Sequence, residues 1–94
     1  MTSPIFEWDP EKAAANEKAH RVSFKEALTA FRDPLAKIHS DPDHSLSQRR
    51  EILVGHSVRG RLLVVAFSGL ESRIRIISAR RTTRRERRDY EENT

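Results

Sequence analysis

The segment that most constrains the fold of this chain is Leu62–Phe67, a run of six consecutive apolar residues. A strand with one face in water alternates apolar and polar residues, so an unbroken apolar run predicts a strand that is covered on both faces. The run is too short to cross a bilayer, because a membrane-spanning helix needs about 20 apolar residues. The sequence therefore predicts a layered domain with a central strand over Arg61–Ser68.

Four other segments have strand patterns. In one of them Arg73 and Arg75 alternate with Ile74 and Ile76, which predicts a strand with one buried face and one cationic face. A tight connection around Gly60 precedes the central strand. The predicted strands besides the central one are Phe6–Trp8, Leu35–His39, Arg50–His56 and Arg73–Ala79.

Capping residues mark the starts of three helices. Asp9-Pro10 supplies an N-cap oxygen and a proline for the first turn. Glu26 and Glu86 stand three residues after Ser23 and Thr83, which is the spacing of a capping box. The helices predicted from these signals span residues 10–19, 23–33 and 83–92.

These elements predict the fold class. Two N-terminal helices, a meander of hairpins and a C-terminal helix indicate an α+β fold with an antiparallel sheet. We expect one domain over residues 1–94, because a chain of this length holds a single core. The N-terminus has no basic segment followed by an apolar segment, so we expect a cytoplasmic protein.

The cations of the chain are unevenly distributed. All four lysines precede residue 46, whereas all twelve cations after residue 45 are arginines. Arginine suits bidentate recognition of phosphate, so this half of the chain favours a polyanionic partner, with nucleic acid first. The alternative is a solvated helix face with internal ion pairs, because acidic residues are interleaved from Glu86 to Glu92. The absence of cysteine excludes disulfides, thiolate nucleophiles and thiolate-bound zinc.

Ordered blocks over residues 6–91 resemble the BrnT toxins of bacterial type II toxin–antitoxin systems. The closing segment, Arg73–Arg81, is the most similar. One departure is Ala19-His20-Arg21, where the family commonly has Lys-His-Gly; the position of the family lysine is taken by Ala19, with Lys18 beside it. The matching blocks are Phe6-Glu7-Trp8-Asp9, Lys12-Ala13, Asn16, His20, Val22-Ser23-Phe24, Asp33-Pro34-Leu35, Asp41–Ser45, Arg50, Ile52–Gly55, Gly60–Leu63, Arg73–Arg81, Thr83, Arg85-Glu86-Arg87 and Tyr90-Glu91.

The resemblance implies a RelE-like α+β fold and a ribonuclease toxin that cleaves RNA and inhibits translation. It implies neutralisation by a BrnA-like antitoxin with a ribbon-helix-helix domain, in a complex of two toxins and two antitoxins or larger. Operator DNA would be contacted only through the antitoxin. We expect no membrane association and no cofactor.

Metal-independent RNA cleavage needs an acid–base residue and cations that stabilise the charge developing on phosphate. We expect His20, Arg61, Arg80 and Tyr90 to form the catalytic set; the two arginines resemble positions where RelE-like folds place catalytic cations. The alternatives are a helix-terminal role for His20, surface charges for Arg61 and Arg80, and core packing for Tyr90, which the sequence favours. The residues expected to bind RNA are Lys18, Arg50, Arg75, Arg81, Arg84 and Arg85.

Two further interpretations stay open at this point. His39, Asp41, Asp43 and His44 fall within six residues, but Asp and Pro favour a turn here, so we expect no metal site. The alternative function is a non-catalytic basic module that binds RNA, DNA or a partner protein, or an inactivated toxin.

Overall fold

The structure is a computed structural model that describes residues 4–41, 49–70 and 72–93. These residues form three α-helices and a five-stranded sheet. In chain order the elements are β1 (Ile5–Glu7), α1 (Pro10–His20), α2 (Phe24–Thr29), a 3-10 turn (Ala30–Arg32), β2 (Lys37–Ser40), β3 (Glu51–His56), β4 (Leu62–Leu70), β5 (Arg73–Arg81) and α3 (Arg84–Glu92).

The strand order is β1-β5-β4-β3-β2, so β4 is central as predicted. Every residue of Leu62–Phe67 is buried, at 9% exposure or less. Strands β2 to β5 pair antiparallel, but β1 runs parallel to β5 with Phe6 opposite Ile74. The predicted α+β class is confirmed, whereas the expectation of a purely antiparallel sheet is wrong. No hairpin joins β1 to β5, so nothing local imposes the antiparallel direction.

Different helices pack against the two faces of the sheet. Leu63, Val65 and Phe67 of β4 pack in one cluster with Val22 and Phe24 of the helical N-terminal half. We call this side the core face. The alternate residues of β4 point to the opposite side, where α3 lies, and we call it the α3 face.

Aromatic residues near the N-terminus complete the core. The ring of Phe31 contacts those of Phe6 and Phe67, with centroids 5.1 and 4.9 Å apart. The ring of Trp8 meets Phe24 edge-on at 6.0 Å. Edge-to-face pairs of this kind stabilise a core beyond the area they bury.

The predicted capping residues start all three helices, with one difference. Asp9 and Thr83 cap as expected, and Thr83 and Glu86 form the complete reciprocal box. At α2, Ser23 accepts a hydrogen bond from the Glu26 backbone at 3.0 Å, but the Glu26 carboxylate does not return to the cap. The predicted capping box at α2 is therefore only half formed, because the carboxylate is engaged by Arg61.

No helix among the described residues is long and apolar enough to span a membrane. Of the residues weighed as a metal site, Asp43 and His44 lie outside the described ranges, as does most of the predicted turn.

Candidate nucleic-acid interface

The predicted catalytic residues divide between the two faces of the sheet. Arg61 bonds to Glu26 and to the backbone of Arg21, both on the core face. His20 precedes Arg21 at the end of α1, so it lies on the same side. Arg80 is opposite Val64 in the register and belongs, with Tyr90, to the α3 face.

Arg61 is held by a buried carboxylate. Its Nε donates to Glu26 Oε2 at 2.9 Å, and its Nη2 donates to Glu26 Oε1 and, at 3.0 Å, to the carbonyl of Arg21. The hydroxyl of Ser57 donates to Glu26 Oε2 at 2.7 Å. These hydrogen bonds, chiefly that from Arg61, lower the pKa of Glu26, whose side chain is 5% exposed. Arg61 thus joins β4 to α1 and α2, and its catalytic role stays a prediction.

Arg21 adopts a backbone conformation that suits glycine. It is the C-cap of α1, with φ 58° and ψ 33°, in the left-handed region. A residue with a Cβ is strained in that region, so glycine is the usual residue there. Lys18 and His20 are both exposed in the last turn of α1.

Arg80 forms a bidentate ion pair with Glu86. Its Nη1 and Nη2 donate to the two carboxylate oxygens at 2.7 and 2.8 Å. Glu86 Oε1 also accepts from the backbone of Thr83 at 2.8 Å. The pKa of Glu86 falls to about 2, mainly because of the hydrogen bonds from Arg80. The Glu86 carboxylate therefore caps the N-terminus of α3 and also positions Arg80 on the α3 face. The Arg80 side chain is 40% exposed there.

Tyr90 is packed between α3 and the sheet. It is 7% exposed, and its hydroxyl donates to the Leu35 carbonyl at 3.1 Å. Burial raises the pKa of Tyr90. The Lys37 ammonium lies 5.2 Å from the centre of the ring. These contacts favour a packing role, and a catalytic role for Tyr90 stays a prediction.

His56, for which the sequence suggests no catalytic role, shares the α3 face with Tyr90. Its ring meets the Tyr90 ring edge-on at 5.8 Å. Its Nδ1 lies 3.5 Å from Asp33 Oδ2, while its backbone N–H donates to the same oxygen at 2.7 Å. The backbone hydrogen bond is the main cause that lowers the pKa of Asp33. The Asp33 carboxylate lies beside the ring of His56, whose side chain remains 43% exposed.

Four cations surround a pocket of about 300 Å³ beside the α3 face, which we call the cationic pocket. It brings Arg50 and Arg75, both predicted to bind RNA, together with Lys12 and Arg49. Ser68, opposite Arg75 in the register, contributes to its lining. Sequence reasoning missed Lys12 and Arg49, because the first lies far away in the chain and the second adjoins a segment without periodicity.

The charges of the cationic pocket are partly compensated by Glu7. This carboxylate lies 3.4 Å from Arg75 and 2.6 Å from Arg73. The hydrogen bond from Arg73 is the main cause that lowers the pKa of Glu7. One carboxylate is thus shared between two arginines, of which Arg75 lines the pocket. A lining with four cationic side chains favours an anionic group such as a phosphate.

The remaining predicted RNA-binding arginines lie at the opposite end of β5. Arg81 ends the strand, and Arg84 and Arg85 open α3; all three are exposed. They are not part of the cationic pocket. Within residues 4–41, 49–70 and 72–93, no three His, Cys, Asp or Glu side chains form a group that could hold a metal ion.

Comparison with known proteins identifies a family and a solved structure that the chain is similar to. The model of the family described as "Ribonuclease toxin, BrnT, of type II toxin-antitoxin system" matches residues 8–86. The chain is also similar in structure to the ribonuclease toxin BrnT of Brucella abortus, solved by crystallography at 1.1 Å resolution. The TM-score is 0.65 at 21% identity, over 88% of this chain and 100% of that one. No curated protein matches the chain.

Proposed function

The chain belongs to the BrnT family of ribonuclease toxins of type II toxin–antitoxin systems, and from this we propose that it cleaves RNA held by the cationic pocket. The observation that carries this proposal is the convergence of Lys12, Arg49, Arg50 and Arg75 on one pocket. Cations from three separate segments form a track for the phosphates of a single strand. The α3 face then presents Arg80 to the same strand.

The reaction needs no metal ion in this proposal. The 2′-oxygen of a nucleotide attacks the adjacent phosphorus, and the bond from phosphorus to the 5′-oxygen of the next nucleotide breaks. A base takes the 2′-hydroxyl proton, and an acid gives a proton to the leaving 5′-oxygen. Arg80 stabilises the charge that develops on the phosphate oxygens. Arg61 lies on the core face, beside the end of α1 that carries His20, so it is the cation proposed for the alternative in which the phosphate binds on that face.

Two imidazoles are candidates for the proton transfers. His20 is the residue that the family resemblance indicates. His56 is favoured by its position on the face that carries Arg80 and Tyr90, and by the carboxylate of Asp33 beside its ring. General acid–base catalysis contributes about 10²- to 10⁴-fold, so His20→Gln and His56→Gln compared in one cleavage assay assign the role. The assigned histidine is the one whose loss reduces the rate by such a factor with the fold intact.

We further propose that a BrnA-like antitoxin with a ribbon-helix-helix domain neutralises this protein, and that RNA cleavage inhibits translation in the cytoplasm. Type II systems pair a protein toxin with a protein antitoxin, and this family assignment is the support. Expression with and without the neighbouring reading frame tests both points. Growth arrest with loss of protein synthesis, reversed by co-expression, is the expected result.

A basic module that binds RNA without cutting it is the alternative function, and the charge of the cationic pocket alone is compatible with it. Incubation of the purified protein with a labelled RNA, with and without ribosomes, separates the two. The proposal expects products with new 5′-hydroxyl ends. RNA that is bound and stays whole under both conditions contradicts it.

A further inference from the structure

A second cavity lies between α3 and the sheet, and we call it the α3 cavity. Its volume is about 330 Å³, within the range of small-ligand sites. Branched apolar side chains, Ile52, Val54 and Val64, line its sheet side, and Tyr90 lines it from α3. A flat ring of the size of a nucleobase suits such surroundings, because its faces can pack against apolar and aromatic side chains.

The polar lining of the α3 cavity includes Lys37 and His39 of β2, two carboxylates of α3, and Asn93 at the end of α3. Glu86 is engaged by Arg80 and by the backbone of Thr83. Asp89 also lines the cavity, and no donor from the described residues bonds to its carboxylate. Carboxylate oxygens accept hydrogen bonds, so a ligand that contacts Asp89 must offer donors to it.

The α3 cavity and the cationic pocket are lined by residues that stand two positions apart in the chain, at the start of β3. Ile52 lines the cavity, and Arg50, two residues earlier in the chain, lines the pocket. A two-residue step along a strand is about 7 Å. A nucleotide with its phosphate in the cationic pocket therefore reaches the α3 cavity with its base.

We propose that the α3 cavity binds a guanine base of the RNA, with Asp89 as the residue that determines specificity. Guanine offers two adjacent donors, N1–H and the N2 amino group, to the two oxygens of one carboxylate. Adenine and cytosine place an acceptor beside their amino group, and uracil has a single N–H between two carbonyls. Each of the three leaves a carboxylate oxygen facing an acceptor, which costs binding energy.

This inference rests on the proposed RNA-binding function, and its test does not require cleavage. The probes are four 2′-O-methyl hexamers of uridine in which one central base is G, A, C or U, and the readout is fluorescence anisotropy. The 2′-O-methyl group removes the nucleophile, so the probes stay whole. A bidentate contact to a base gives about tenfold discrimination, so we expect the G probe to bind about tenfold more tightly than the others.

Two variants complete the test. Asp89→Asn replaces one acceptor by a donor, and we expect the preference for the G probe to disappear. Glu92→Gln removes the same charge from α3 outside the cavity, and we expect it to keep the preference. Equal affinity for the four probes, or a preference for G that survives Asp89→Asn, overturns the inference.

Cleavage of unmodified RNA tests the proposed function separately. A preference for G without cleavage upholds the base site and contradicts the ribonuclease function. Cleavage by a protein that binds the four probes equally upholds the function and contradicts the base site.

Discussion

The side chain of Asn16 forms hydrogen bonds with both backbone groups of Ala79. Its Nδ2 donates to the Ala79 carbonyl at 2.8 Å, and the Ala79 N–H donates to its Oδ1 at 3.1 Å. Nδ2 also donates to the carbonyl of Val22 at 3.0 Å. Strand β1 ends at Glu7, opposite Arg75, so the amide of Asn16 satisfies the edge of β5 beyond the reach of β1.

Replacing Asn16 by alanine is therefore expected to destabilise the fold strongly. Asn16 is 8% exposed, and its removal leaves three buried backbone groups without their partner. Each such group costs about 1–3 kcal/mol, so we expect a loss of about 3 kcal/mol or more in the free energy of unfolding. Urea unfolding followed by circular dichroism measures it. A change below 1 kcal/mol would show that water replaces the amide at about the same free energy.

Arg21→Gly is expected to stabilise the fold. The residue has φ 58°, and glycine removes the Cβ that is strained there, which outweighs its higher entropy in the unfolded chain. The left-handed conformation costs a residue with a Cβ about 1–2 kcal/mol, and the entropy of glycine offsets about 0.5–1 kcal/mol of the relief, so we expect a gain of about 0.5–1 kcal/mol in the same urea assay. Arg21→Ala, which keeps a Cβ but removes the guanidinium, is the matched control and should not stabilise.

Arg61→Ala is expected to unfold the protein more readily, because it leaves the buried carboxylate of Glu26 without its main partner. Breaking a buried pair from one side costs about 3–5 kcal/mol. The double variant Arg61→Gln, Glu26→Gln should cost less than the sum of its single changes, since it leaves no buried charge. Additive costs would contradict the coupling. Loss of activity in Arg61→Ala is thus informative about catalysis only when folding is measured beside it.

Glu86 is expected to make stability sensitive to acid. Its pKa is lowered to about 2 in the folded protein from an ordinary value of 4.5. Its stabilising contribution is therefore complete above pH 4.5 and is lost as the pH falls toward 2. Thermal unfolding of the protein and of Glu86→Gln across this range should converge at low pH. A constant difference between the two melting temperatures would contradict the contribution of this ion pair.

The sequence predicts the helices and strands better than it predicts the site. Local signals mark the helices and strands. The apolar run of β4 and the Thr83–Glu86 capping box of α3 are both recognised from residues that are close together in the sequence. The partners of charged residues are not local. Glu26 has the spacing of a capping box with Ser23, yet Arg61, 35 residues away, takes its carboxylate. The parallel pairing of β1 with β5 likewise depends on packing of Phe6 against the core.

The division of the predicted catalytic residues between the two faces of the sheet also depends on contacts that are not local in the chain. Arg61 and Arg80 look alike in sequence, since each is an arginine at a strand end. Alternation across the sheet places their side chains on opposite faces, where each meets a different glutamate. The cationic pocket is formed by residues from three segments, and only the fold brings Lys12 beside Arg75.

The cationic pocket is proposed to hold the RNA that the protein cleaves. The most direct test is the rate of RNA cleavage by the double variant Arg49→Gln, Arg75→Gln across a series of salt concentrations, with Arg87→Gln, Arg88→Gln on α3 as the matched control. Each phosphate contact adds about one to the slope of log K for RNA binding against log salt concentration. We therefore expect this slope to be smaller by about two in the pocket variant. We also expect its cleavage rate at sub-saturating RNA to fall at least about tenfold, with the fold intact and the control little changed. Unchanged cleavage and an unchanged salt slope in the pocket variant would contradict the claim.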